Sequence, residues 1–539
     1  MKPDLPVIAA DAAPGFTDAK TCAQWLRDLP LTNVAPSHGR LLGELEELNG
    51  FELPPGERIK ILELLREAVL FVQSEQARKF TGKPVPLAKH EREIFQNVLA
   101  LWDALAAGWQ HCLKDLADNI GGVSGQADLI CQRAMWSTGL KLTEHYRVYQ
   151  EFSAGEWQTL NRVYAFAMAA GVEDNGVAHP TTPSAPPMSC SETFAQIQLL
   201  ALANPNEHAP RLQALIFRWI ERWGRKMAIS SKSPGNAVVT PITIDLDTGE
   251  CATRCARAGK SIVYLDTSEI GKSLKKRIAA LRQGEDPEVL GLGKDVSEGL
   301  AAELLVMLRQ RWCEDIVTRQ SSRRPLTGDA WVCVGMAAMH YFITGRPFET
   351  QPGNTTLTAQ QREHIETFGQ LSTRTNDEYT VTHGFALEQW RVLDESLLWF
   401  RLERPRECGT SRFLHHQLIA VRPADAPSFS ICSIRWISLS GDQVPCLGTR
   451  TMPGMARGIA ARLGGLNVHS EKFVPALFLP AVAALRSPPT LVLPAGWFRP
   501  KRLVEIQCGA AEGGPSGQVL LSAALERGSD FERCTFETT

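Results

Sequence analysis

Two stretches decide the reading of this chain: Thr318-Arg319-Gln320-Ser321-Ser322-Arg323-Arg324 with the apolar run Trp331–Phe342 behind it, and Trp390-Arg391-Val392-Leu393-Asp394-Glu395-Ser396. The first sets guanidinium groups directly ahead of a strand. A guanidinium fork grips a phosphate bidentately or lies flat on a base, which an ammonium point charge does less well, so the pattern suits a nucleotide. In the second stretch, strand alternation puts Trp390, Val392 and Asp394 on one face. An acceptor-only carboxylate and a hydroxyl then stand two residues apart at Asp394 and Ser396, a pair able to read the edge of a base.

An Arg-x-x-x-Arg loop before a first strand, followed by Asp/Asn-x-Ser-x-x-Gly, resembles the PilZ domain, a small β-barrel that binds the bacterial second messenger cyclic di-GMP. Arg319 and Arg323 fit the first motif, with Arg324 as an extra cation, and Asp394 and Ser396 fit the start of the second. Ile434-Arg435-Trp436-Ile437 looks like the strand that carries arginine and tryptophan in other PilZ-like proteins. Two departures mark the domain as degenerate. Trp399 stands where the motif has glycine, the residue that permits special torsions and close approach of a ligand. The two motifs are also separated by an insertion at about 346–379. On an unbroken strand, parity would turn Trp399 away from Asp394 and Ser396. The resemblance implies a receptor for cyclic di-GMP using Arg319, Arg323, Arg324, Asp394 and Ser396. The bland rival is a cationic cap on the preceding helix, where the macrodipole favours arginine.

Working outward, 539 residues exceed what one hydrophobic core supports, so several domains are expected. A net charge of −2 lacks the broad basic face of a general nucleic-acid binder and gives no reason to expect attraction to anionic membranes. The start, Met1–Phe16, is too broken by Asp and Pro for a signal peptide, and no window approaches the roughly 18 apolar residues of a membrane helix. Thirteen scattered cysteines without a Cys-x-x-Cys read as reduced thiols of a cytoplasmic protein, with no metal site.

Residues 1–40 read as a loose lead-in with one short helix near Cys22–Leu29. Residues 41–224 carry helical periodicity, with Ile61, Leu64, Leu65, Ala68 and Val72 as one stripe behind the start signal Pro54-Pro55-Gly56. Val172–Pro187 reads as an exposed linker. Residues 225–317 read as a small α+β module whose Lys272, Lys275, Lys276 and Arg277 form a solvated helix face. Residues 318–539 read as the degenerate PilZ-like β domain. The expected fold class is therefore α+β multidomain: an N-terminal all-α helical array, a small α+β module and a C-terminal PilZ-like β-barrel.

No catalytic set emerges. A phosphate-binding Gly-x-x-x-x-Gly-Lys loop, a Gly-x-Ser-x-Gly elbow and a His-Glu-x-x-His helix are all missing from the sequence. Asp245 and Asp247 read as turn residues, and His415-His416 as surface histidines pointing to opposite strand faces. The sequence reading is thus a non-enzymatic effector without cofactor, which senses cyclic di-GMP and relays it to a protein partner through the helical region. The alternative is a scaffold or chaperone-like protein whose barrel has lost the nucleotide.

Overall fold

A computed structural model describes residues 12–182, 184–234, 239–315, 324–348, 374–376, 379–382, 384–406, 409–464, 472–509 and 513–539. The chain divides into two compact units, the first running to Thr318 except for two short segments, the second built on Arg319–Thr539.

Among the described residues, the first unit begins with α1 (Ala19–Arg27), α2 (Val34–Gly50), α3 (Pro55–Ala77), α4 (Lys89–Ala117), α5 (Ala127–Arg147), α6 (Ala154–Ala170), α7 (Cys190–Leu202) and α8 (Pro210–Trp223). Local signals set their ends. Asp18 caps α1 by accepting from the amides of Lys20 and Thr21, and α3 takes Pro55 in its first turn, where the missing N–H costs nothing. Ser153/Glu156 and Ser189/Glu192 form capping boxes on α6 and α7. On α3, Ile61, Leu65, Ala68 and Val72 are buried as expected, but Leu64 is exposed because the stripe is narrower than the run of leucines implies.

The stretch Val172–Pro187 is not a loose linker. Arg133, wholly buried, donates to the Ala178 carbonyl and pairs with Glu63 at 2.7 Å. Arg66 donates to the Pro180 carbonyl, Arg225 to those of Pro186 and Pro187, and Val177 bridges Met188. Composition reports the absence of periodicity, whereas the anchoring arginines come from elsewhere in the chain.

The α+β segment adds β1 (Ala228–Ser230), β2 (Ile242–Asp245), β3 (Thr253–Arg254) and β4 (Ile262–Asp266) in the order β1-β4-β2-β3, with α9 (Ser268–Arg282) and α10 (Glu298–Cys313). It is fused to the helices within one unit. Trp312 of α10 donates to Leu199 of α7, Trp219 of α8 donates to Leu292, and Trp223 meets Trp312 edge-on. The Asp245–Gly249 turn is docked on α6, where Asn161 donates to the carbonyls of Thr248 and Glu250 and any Cβ at Gly249 would strike the Ala154 carbonyl. Arg277 leaves the solvated face expected of it: it bonds the Leu290 carbonyl and lies over Trp223.

The second unit comprises β5 (Arg324–Val334), α11 (Met336–Thr344), β6 (Arg374–Asn376), β7 (Tyr379–Thr382), β8 (Phe385–Ser396), β9 (Trp399–Glu403), β10 (Leu418–Pro423), β11 (Ser430–Leu439), β12 (Pro445–Thr451), β13 (Arg457–Leu463), β14 (Val474–Leu479), β15 (Thr490–Pro494), β16 (Leu503–Cys508), β17 (Gly517–Arg527) and β18 (Phe531–Thr538). The single β domain expected from the sequence holds two rings. In the first, the order β5-β10-β11-β12-β9-β8 closes through β5–β8 pairing, and β7 and β6 extend the β8 edge. In the second, β13-β14-β15-β18-β17-β16 form a closed barrel.

The apolar run Trp331–Phe342 is half strand and half helix. Gly335, at φ 90°, ends β5 and starts α11, a turn that apolarity alone does not reveal. That helix packs against β5, β10, β13 and β14. Its Met339 shares one core with Cys333, Leu418, Ala420 and Ile431 of the first barrel and Leu477, Leu479, Val492 and Phe531 of the second. Hence β10 is buried on both faces, which is why Leu418–Val421 reads as an unbroken apolar run.

Candidate functional site

Pairing of β5 with β8 joins the two motif regions. Arg324 opens β5 opposite Glu395, and Pro325 lies opposite Asp394, so the chain leaving the arginine stretch enters the barrel beside Asp394 and Ser396. Arg319 and Arg323 lie outside the described residues. Arg324 is exposed, and as the partner of Glu395 it starts on the sheet face opposite Asp394.

The face assignments differ from simple alternation at two points. A bulge between Val392 and Asp394 inserts Leu393 as an extra residue. Val392 therefore pairs with buried Leu402, whereas Asp394 pairs with Arg401; Trp390 and Val392 face the barrel interior and Asp394 faces out. The second point is the hairpin. Ser396 and Trp399 are direct cross-strand partners flanking the turn Leu397-Leu398, and direct partners share a face. Trp399 thus stands on the side of Asp394 and Ser396, not turned away from them, because the chain reverses between the two residues and parity no longer applies.

The outer face so defined holds more than the two motifs. Arg401 lies 3.9 Å from Asp394 and sits over the Trp436 ring at 5.9 Å. Trp436 is seated on Gly448, where any Cβ would collide with the indole, so glycine is required for the ring to lie against the sheet. Arg450, exposed, is the cross-strand partner of Trp399. Two aromatic faces and two guanidinium groups beside a carboxylate and a hydroxyl make a surface suited to planar, phosphate-bearing ligands. The sequence reading named the strand of Trp436 but missed Arg401 and Arg450. Their only signal is alternation with Trp399 and Thr449, which shows a partner strand only once register is known.

Beneath this face the barrel interior is closely packed and hydrogen-bonded. Glu388, buried, accepts from Trp390 at 3.0 Å and from the Ser411 amide at 2.9 Å, and Trp390 meets Phe413 edge-on. The histidine pair is likewise not at a free surface. His415 Nε2 donates to the Arg435 carbonyl at 3.0 Å, and burial holds the ring's pKa down to about 4, so it is neutral. His416, at φ 62°, lies in a turn and not on a strand, and its Nε2 is 3.0 Å from Glu526. Burial alone would raise the Glu526 carboxyl, but His416, Arg435 and Ser433 outweigh it and hold the group down to about 2. No group of three potential metal ligands occurs among the described residues, and no described helix is long and apolar enough to cross a membrane.

A six-stranded ring entered by an arginine-rich segment, with Asp-x-Ser leading into its first long hairpin, defines a PilZ-type domain. Family models confirm the class and extend it: residues 20–234 match the N-terminal domain of the cyclic-di-GMP receptor FimW, 253–392 its middle PilZ domain and 459–539 its C-terminal β-barrel domain. The chain belongs to this family of three-part, PilZ-containing proteins. The cyclic-di-GMP receptor FimW of Pseudomonas aeruginosa is 24% identical over 541 residues, covering 92% of this chain and 88% of that protein. The PilZ match ends at residue 392, ahead of Asp394 and Ser396, and the C-terminal match coincides with the second closed barrel.

Proposed function

We propose that this chain is a non-enzymatic, cytoplasmic effector that binds cyclic di-GMP on the outer face of the first barrel and passes the signal to a protein partner through the helical region. The observation that carries the reading is the β5–β8 register, which brings the end of the arginine stretch to Asp394 and Ser396 on a face that also holds Arg401, Trp436 and Arg450. In this reading Arg319 and Arg323 grip the phosphates and guanine faces, while Asp394 and Ser396 read a base edge; Arg324, which opens β5 on the opposite face, contributes only its charge. Similarity to a named cyclic-di-GMP receptor along most of its length supports the ligand class.

Trp399 favours a second reading. Its indole occupies the motif's glycine position on the ligand face, as it would in a barrel that has lost the nucleotide and serves as a scaffold. Isothermal calorimetry of the full chain with cyclic di-GMP separates the two. The receptor reading expects micromolar or tighter binding, and Arg323→Ala should weaken it roughly ten- to a hundredfold by removing one charge-assisted contact. A folded protein that gives no heat at millimolar ligand is the scaffold.

A further inference from the structure

Strand β11 serves two surfaces. Its residue Trp436 is part of the candidate ligand face, lying between Gly448 and Arg401. The preceding residue, Arg435, is the extra residue of a bulge between Ile434 and Trp436. A bulge lets consecutive side chains leave the same side of a strand, and Arg435 turns to the second barrel. There its Nη2 lies 3.0 Å from Glu526 Oε1, on β17. His416 Nε2 meets the same oxygen at 3.0 Å, and the Glu526 side chain is 13% exposed.

The strand carrying Glu526 is irregular at the same place, with a register shift between Ala524 and Glu526. The hairpin that follows is docked on the 414–418 turn. The Ser529 amide donates to the His416 carbonyl at 3.0 Å, the Leu418 amide donates to Asp530 at 2.9 Å, and a Cβ at Gly528 would strike the His416 carbonyl. His415 holds the Arg435 carbonyl from the other side. Arg435, the residue next to Trp436, thus joins the seat of that indole directly to Glu526 near the tip of the β17–β18 hairpin.

We infer that the Arg435–Glu526 pair is the coupling element through which nucleotide bound at the Trp436 face is sensed by the β17–β18 hairpin of the C-terminal barrel. The inference rests on the receptor reading above and adds the route of regulation. A ligand that repositions Trp436 must shift the bulge, and the bulge is tied to Glu526 by a charge-assisted bond in a shielded setting. Coupling is reciprocal, so cutting the tie must alter ligand affinity as well as the hairpin's response.

Hydrogen exchange of the full chain with and without cyclic di-GMP tests this, read on peptides covering 517–531, alongside calorimetry of Glu526→Gln. The expected result is a ligand-dependent change of exchange in this hairpin of the unaltered protein. In Glu526→Gln that response is lost and the dissociation constant shifts at least fivefold. Glu505→Gln, which breaks the Arg462–Glu505 pair elsewhere on the same barrel, should leave the affinity unchanged. Binding without any change of exchange at 517–531 overturns the inference, and this arm needs no variant to fold. An affinity within twofold of the parent in folded Glu526→Gln overturns it too. Absence of any binding by the unaltered chain refutes the receptor reading itself, and the coupling falls with it.

Discussion

Trp399→Gly restores the glycine of the PilZ motif, and the structure fixes what it should do. The indole is half-buried on the outer face, opposite Ser396 on one side and Arg450 on the other. A tryptophan side chain offers about 150–250 Å² of surface. Half of it, roughly 100 Å², corresponds to about 2.5 kcal/mol of lost burial at about 25 cal/mol per Å². Glycine within a strand costs a further ~0.5–1 kcal/mol. Stability should therefore fall by about 3 kcal/mol, read as the urea midpoint of the second unit. Cyclic di-GMP affinity should move the other way. If the ring must leave part of its packing for the nucleotide to reach Ser396, forfeiting about half its burial, the free protein carries a penalty of about 1.25 kcal/mol; its removal tightens binding about eightfold. Calorimetry on parent and variant measures this directly. A tenfold loss of affinity would refute the reasoning and make the indole a ligand contact; a fully stable variant would show that the ring was never packed.

Arg133→Ala should destabilise the first unit by about 3 kcal/mol in urea denaturation, because it removes the closer of the two cations on Glu63, leaving only Arg66 at 3.7 Å, and frees the Ala178 carbonyl. Low-dose thermolysin should leave residues 172–187 intact in the parent protein and cut there in Arg133→Ala, as the loop loses its central anchor. The second unit should lose stability as the pH falls from about 6.5 to about 4: burial holds His415 and His340 at about 4 when folded, so the unfolded chain takes up protons first. Comparing urea midpoints at pH 7 and pH 5, with His340→Gln and His415→Gln expected to flatten the difference, checks the sign. Below about 4.5 the Glu526 carboxylate adds a further loss toward about 2, because its folded-state affinity for protons is depressed.

The sequence by itself determined the elements and the fold class. Helical stripes, Pro and capping-box starts are local signals, and α3 begins at Pro55, inside the Pro54-Pro55-Gly56 start signal. It also supplied the residue types on which the nucleotide reading rests, the arginine stretch and Asp394/Ser396, since residue type and short spacing are sequence properties. Tertiary structure decided which side each residue takes and what it meets. One extra residue at Leu393 reverses the face of Asp394, and a two-residue turn brings Trp399 back onto it. Register with β12 adds Arg450, and the Gly448 seat fixes Trp436. That the β region forms two barrels was hidden for a related reason. The strands β12 and β13, Pro445–Thr451 and Arg457–Leu463, are short and weakly alternating, so nothing local marks where one ring closes and the next begins. Closure is a pairing of β5 with β8 across some 60 residues of sequence, and hydrogen bonds at that separation are set by packing both barrels on α11, not by any local preference of the chain.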